Sequence, residues 1–114
     1  MLPEQLEQVT LFDWIRTQKH LSPFAFHIAN ERKTSPMQGA LLKRMGVRAG
    51  VSDCFIGIAR SKYHGMFLEL KAGKNKATVT QLEFQNDMRN QNYYCVVCRG
   101  FEEAKAAIEH YLNL

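Results

Sequence analysis

The chain has three cysteines, Cys54, Cys95 and Cys98, and an odd number argues against a disulfide framework. No apolar stretch approaches the roughly 20 residues that span a bilayer. The opening MLPEQLEQV lacks the basic-then-apolar pattern of a secretory signal. These absences predict an intracellular, cytoplasmic protein with no membrane association. Charge of one sign is also scarce. Fifteen Lys and Arg stand against 11 Asp and Glu, a formal excess of +4, which permits a polyanionic partner without demanding one. No repeat, low-complexity tract or long linker appears. At 114 residues, 46% of them hydrophobic, the chain suits one compact domain over 1–114 with a real core.

Cys95 and Cys98 form C-x-x-C, which invites a zinc reading, but no second Cys or His pair has matching spacing. YYCVVC has the look of a strand, where positions three apart point to opposite faces. Small apolar residues in a buried strand are the preferred reading.

The pattern along the chain is alternating. Residues 4–18 read as a helix, with Pro3 tolerated in the first turn. SPFAFHIAN reads as a short strand ending near Asn30, and NERKTSPMQ as an exposed loop. Ser35-Pro36 resembles a helix start, with Ser35 as cap and a stop at Gly46. DCFIGIA (53–59) and GMFLELKA (65–72) read as a β-hairpin with a five-residue loop. A basic loop, KNKAT, leads to a helix capped near Thr78, then the strand YYCVVC. FEEAKAAIEHYL closes the chain as an amphipathic helix. The order α-β-α-β-β-α-β-α predicts an α/β architecture with a central mixed sheet flanked by helices.

One strand is anomalous. MFLELK has the bulk of a buried strand, yet carries Glu69 and Lys71 two positions apart, on one face. Burying both is costly unless they pair or bind something. If Ala59 pairs with Gly65, Asp53 falls opposite Lys71 and becomes a diagonal neighbour of Glu69, with α-carbons about 7–8 Å apart. Two carboxylates beside a lysine suit a Mg²⁺ site, where the ion activates water and neutralises phosphate charge. A plain salt bridge among the three is the alternative.

GVSD followed by GMFLELKAGKNKATVTQLEFQNDMRNQNYYCVVCRGFEEAKAAIEHYL resembles the VRR-NUC domain, the virus-type replication-repair nuclease of the PD-(D/E)xK superfamily. The likeness covers nearly the whole chain and is strongest from Gly46 to Leu112. It rests on an aspartate after a glycine-rich turn, E-x-K on the next strand, a glutamine-bearing helix, an apolar strand and a final amphipathic helix. The family usually has proline before the aspartate, where this chain has Ser52.

The resemblance implies a restriction-endonuclease-like fold and a role for each matching residue. Asp53 and Glu69 match the metal-binding pair, Leu70 adds its backbone carbonyl, and Lys71 matches the catalytic lysine. Gln81 matches a glutamine that organises the site. An acid on the first helix completes the metal shell. Glu4 is favoured because Glu4 and Gln8 share a helix face, and Glu7 is the rival. His27 and Asn30 match an H-x-x-N segment near the substrate, although a lone strand histidine is more often structural.

The basic residues fall mainly in loops: Arg32, Lys33, Arg48, Arg60, Lys62, Lys74 and Lys76. Of these, Arg48, Lys74 and Lys76 are candidate DNA-backbone contacts. No element reads as a recognition helix. The resemblance implies a Mg²⁺- or Mn²⁺-dependent endonuclease, phage- or mobile-element-encoded, acting as a homodimer on branched DNA such as four-way junctions. Phe12, Trp14 and Phe84 are candidate contributors to the dimer surface. A DNA-binding or assembly module on the same fold is the alternative.

Overall fold

The computed structural model describes residues 1–29 and 35–114. Helix α1 (Pro3–Arg16) starts at a proline, whose missing N–H costs nothing in the first turn. A 3-10 turn at Ser22–Phe24 leads into a short strand, β1 (Ala25–His27). Helix α2 (Pro36–Arg44) begins with a capping box, in which Ser35 Oγ accepts the Gln38 N–H. Strands β2 (Cys54–Ile56) and β3 (Met66–Lys71) follow. Helix α3 (Val79–Asn90) has a second capping box, from Thr78 and Gln81. Strand β4 (Tyr94–Arg99) runs directly into helix α4 (Gly100–Leu112). Among the described residues the element order matches the alternation read from the sequence. Asn30, expected near the substrate, and the loop cations Arg32 and Lys33 lie outside the described residues.

The four strands form one mixed sheet in the order β1-β2-β3-β4. The first two pairings are antiparallel and the last, β3 with β4, is parallel. Period-two alternation divides β3 between two layers. Met66, Leu68 and Leu70 join the core with Leu11 and Ile15 of α1 and Ala104, Ile108 and Tyr111 of α4. Phe67 points the other way, meeting Phe84 of α3 edge-on at 5.1 Å and Phe55 at a tilt at 4.7 Å. Both faces of β3 are therefore covered, and whatever polar group it carries is taken out of water.

The hairpin differs from expectation in length and register. The connection spans residues 57–65, because the apolar stretch after Ile56 docks on α4 instead of pairing with β3. The Tyr111 hydroxyl donates to the Ile58 carbonyl at 2.6 Å, and Arg60 Nε donates to the Leu112 carbonyl at 3.0 Å. The pairing is Cys54 with Leu68, not with Leu70. Extending that register places Asp53 opposite Glu69 rather than opposite Lys71. A slip of two residues preserves the face, so the two carboxylates still project to one side, closer than a diagonal pair.

Cys95 and Cys98 are buried free thiols on opposite sides of β4, as strand geometry requires. Burial pushes the Cys95 thiol up to about 11 and Cys98 to about 12, which disfavours the thiolate that zinc needs. Phe84 is only 5% exposed, so it is a core residue and contributes nothing to a partner surface. Trp14 is half-buried against Phe101, and Phe12 packs partly on the core. No described helix is long and apolar enough to cross a membrane.

Candidate active site

Asp53 sits where the glycine-containing turn 46–50 delivers the chain into β2. The turn is held close to α3. Gly50 has φ +87°, and a Cβ there would lie 2.3 Å from the Thr80 carbonyl oxygen, so only glycine fits without displacement. Ser52, immediately before the aspartate, is fully buried. Its hydroxyl accepts a 3.3 Å hydrogen bond from Gln85 Nε2, which also donates to the Val96 carbonyl at 2.8 Å. Arg89 continues the network to Gln85 Oε1 and the Cys95 carbonyl. A chain of polar contacts thus ties the turn before Asp53 to α3 and β4.

The Asp53 side chain is fixed at one oxygen, where Oδ2 accepts the Leu70 N–H at 2.8 Å. Its backbone carbonyl accepts from Ile28 N and lies 2.7 Å from His27 Nδ1. These bonds fix the aspartate beside Glu69. Glu69 is completely buried on β3, and neither of its carboxylate oxygens has a hydrogen-bond partner. Lys71 Nζ lies 3.4 Å from Glu69 Oε2, close enough for an ion pair but without hydrogen-bond geometry. Burial, reinforced by the neighbouring Asp53 carboxylate, pushes the Glu69 carboxyl up to about 9, although Lys71 pulls the other way.

Glu4, on the first turn of α1, completes the group. One carboxylate oxygen from each of Glu4, Asp53 and Glu69 lies within 4.8 Å of the others. Three hard oxygen donors around one point suit a divalent cation such as Mg²⁺ or Mn²⁺ better than a soft thiophilic metal. The orphaned buried oxygens of Glu69 are what a bound cation would satisfy. A hollow of about 370 Å³, lined by Glu4, Gln5, Gln8, His27 and Asp53, opens onto this point.

The rival acid, Glu7, is committed elsewhere. Its Oε2 accepts the Phe101 N–H at 2.5 Å, capping the first turn of α4 from another helix. Gly100 allows this approach, with φ +82° and no side chain to crowd the carboxylate.

Other expected site residues are placed as follows. Gln81 is buried at the start of α3, where its Oε1 accepts the Thr78 N–H at 2.8 Å. The described contact is a helix cap, and Gln81 is not among the three clustered carboxylates. Leu70 reaches Asp53 through its amide. His27 is exposed at the rim. Arg48 is ion-paired with Asp87 at 2.7 Å and stacked over Phe84, on the outside of α3. Lys74 and Lys76 are exposed in the loop after β3, which Arg99 braces through Nη1 to the Gly73 and Asn75 carbonyls. Sequence reading missed Gln85. The only signal was its position one turn beyond Gln81 and beside Phe84, on the face that packs against β4.

No protein-family model matches the chain, and no curated protein matches it. Among solved structures, one called "VRR_NUC domain protein" matches with a TM-score of 0.86 and 34% sequence identity, over 100% of this chain and 91% of that one. The mixed sheet with helices on both faces and the strand-borne E-x-K agree with that likeness. The chain has the restriction-endonuclease-like α/β fold and belongs to the VRR-NUC family of nuclease domains.

Proposed function

We propose that residues 1–114 form one metal-dependent DNA endonuclease domain that hydrolyses phosphodiester bonds in branched DNA such as four-way junctions. The observation that carries this reading is the buried Glu69 carboxylate, ion-paired with Lys71 but without a hydrogen bond, converging with Asp53 and Glu4. A structural salt bridge alone does not explain it, because three carboxylates converge where a single lysine stands. Glu4, Asp53 and Glu69, with the Leu70 carbonyl, would hold Mg²⁺ or Mn²⁺. When bound, such an ion supplies Lewis-acid neutralisation of the phosphate and a more acidic bound water.

The chain's own groups do the rest. Leu70 N–H and the His27–Asp53 contact orient the aspartate. The Lys71 ammonium orients the attacking water and offsets negative charge as the water oxygen bonds to phosphorus and the P–O ester bond breaks, the water's proton passing to bulk solvent and the departing oxygen taking one from it. Gln81 holds the start of α3, and Gln85 holds the turn that carries Asp53. His27, Asn30, Arg48, Lys74 and Lys76 contact the DNA.

The working unit is proposed as a C2 homodimer in a cytoplasmic, phage- or mobile-element setting, with two sites cutting opposing strands. Support comes from α2, where Met37 and Leu41 and the following Met45 share one exposed face at four-residue spacing. Light scattering at micromolar concentration should return twice the chain mass, and a monomer with undiminished junction cleavage would refute the dimer. The functional test incubates the protein with labelled junction, flap, single-stranded and linear DNA, with Mg²⁺, Mn²⁺ or EDTA. Metal-dependent cleavage, strongest on the junction and lost in Asp53→Asn, is expected. Binding without cleavage under every condition would instead identify a DNA-binding module.

A further inference from the structure

A second cavity, of about 490 Å³, lies between α1 and β1, the end strand of the described sheet. Its lining includes Gln8, Val9, Phe12, Arg16, Ser22 and His27. Gln8 and His27 also line the carboxylate hollow, so the two cavities adjoin across these side chains and together make a groove along α1. Along its helical wall the residues repeat every four positions: Glu4, Gln8, Phe12, Arg16. Each is the surface neighbour of the next, in a stripe that winds about 120° round α1 from Glu4 to Arg16. In order from the cluster they offer a carboxylate at the metal site, an amide, an aromatic ring and a guanidinium. Arg16 is exposed, and its one described partner is Asp13, at 3.3 Å and equally exposed. A surface pair of that kind holds weakly and can yield to a phosphate.

We propose that this groove is a track for one DNA strand opened at the branch, with a base about three to four nucleotides from the cut against Phe12 and a more distant phosphate on Arg16. The proposal rests on the nuclease reading for the place of the cut. The chemistry of the track favours nucleic acid over an apolar peptide, because it starts at a phosphate-cleaving centre and ends on a cation. Aromatic faces accept any base, and a guanidinium pairs with any phosphate, so the track is sequence-tolerant. The helix also acts as a ruler. Glu4 to Arg16 spans ~18 Å at ~1.5 Å per residue. A stacked strand advances ~3.4 Å per nucleotide, which puts the Arg16 phosphate about five nucleotides from the scissile bond.

The test uses the full chain carrying Asp53→Asn, so that binding is read without cleavage, and short single-stranded and flap DNAs of both polarities. Arg16→Ala should weaken binding about 3–10-fold and lower the salt slope by about one, whereas Arg16→Lys restores it. Val9→Glu should weaken binding and Val9→Lys should not; Val9 is 43% exposed, so neither variant threatens folding. A single neutral methylphosphonate about five nucleotides from the cut should weaken binding to the Arg16-containing protein. It should have no effect in Arg16→Ala, and that coupling is what a general loss of stability would not produce. Equal affinity in all variants, or a methylphosphonate effect unaltered by Arg16→Ala, overturns the track. The two readings fail separately. Metal-dependent cleavage by the unmutated protein with no Arg16 or Val9 dependence removes the track alone. Arg16-dependent binding without cleavage in any metal removes the nuclease reading alone.

Discussion

Replacing Glu69 with glutamine should stabilise the metal-free protein while abolishing its response to metal. Glu69 is fully buried, its two oxygens lack hydrogen-bond partners, and its carboxyl is pushed up from an ordinary 4.5 to about 9. The folded state therefore holds a proton that the unfolded state releases, and stability falls as pH rises from 4.5 towards 9. At about 1.4 kcal/mol per pH unit, keeping that proton at pH 7 costs at most ~3 kcal/mol. Glutamine leaves a polar group buried at the same place, which takes back part of this, so the gain on substitution is about 1–3 kcal/mol. A chain of 114 residues has an unfolding entropy that converts each kcal/mol into about 4 °C. In EDTA at pH 7, Glu69→Gln should melt ~4–12 °C above wild type. With Mn²⁺ at a hundred times its dissociation constant, wild type should gain about 2.7 kcal/mol and the variant little. Scanning calorimetry across pH 5–9 reads both effects. A variant that melts below wild type in EDTA and keeps the full Mn²⁺ shift would refute the reasoning.

Four other outcomes are expected. Because metal binding must displace the Glu69 proton, the Mn²⁺-induced shift should grow between pH 6 and 9, and a shift independent of pH would count against Glu69 as a ligand. Lys71→Ala should retain metal and DNA binding but lose at least a hundredfold in kcat, measured in single-turnover cleavage; an equal loss of affinity would make the lysine an anchor instead. Glu7→Gln should cost about 1 kcal/mol in urea denaturation, through the α4 cap, with little change in metal affinity. Gln85→Leu should lower both stability, by about 1–3 kcal/mol, and metal affinity, because it frees Ser52 and the Val96 carbonyl; unchanged Mn²⁺ binding in a folded Gln85→Leu protein would sever it from the site.

Much of this architecture is written in local pattern. The period of α4, the caps at Ser35 and Thr78 and the apolar β3 and β4 are readable because each depends on neighbours a few residues away. The carboxylate pair is also legible, since Asp53 and Glu69 stay on one face for either pairing register two residues apart. The register itself was not. Gly57 to Ala59 could extend the hairpin, and only the competing bonds from Tyr111 and Arg60 draw that stretch onto α4. The choice between Glu4 and Glu7 likewise depends on the distant Phe101 amide, which claims Glu7. Gln85 looks like one more polar residue on a helix rich in them. Its burial follows from the parallel β3–β4 pairing, which brings Val96 beneath α3. Phe84 misleads for the same reason, as a helix aromatic turned inward onto Phe67.

Anomalous diffraction from crystals soaked in Mn²⁺ tests the central claim most directly. A Mn²⁺ peak bounded by carboxylate oxygens of Glu4, Asp53 and Glu69, and lost in Glu69→Gln crystals, is the expected result. Its contradiction would be no peak among those three side chains at millimolar Mn²⁺, with Glu69 still buried and its carboxylate without a hydrogen bond.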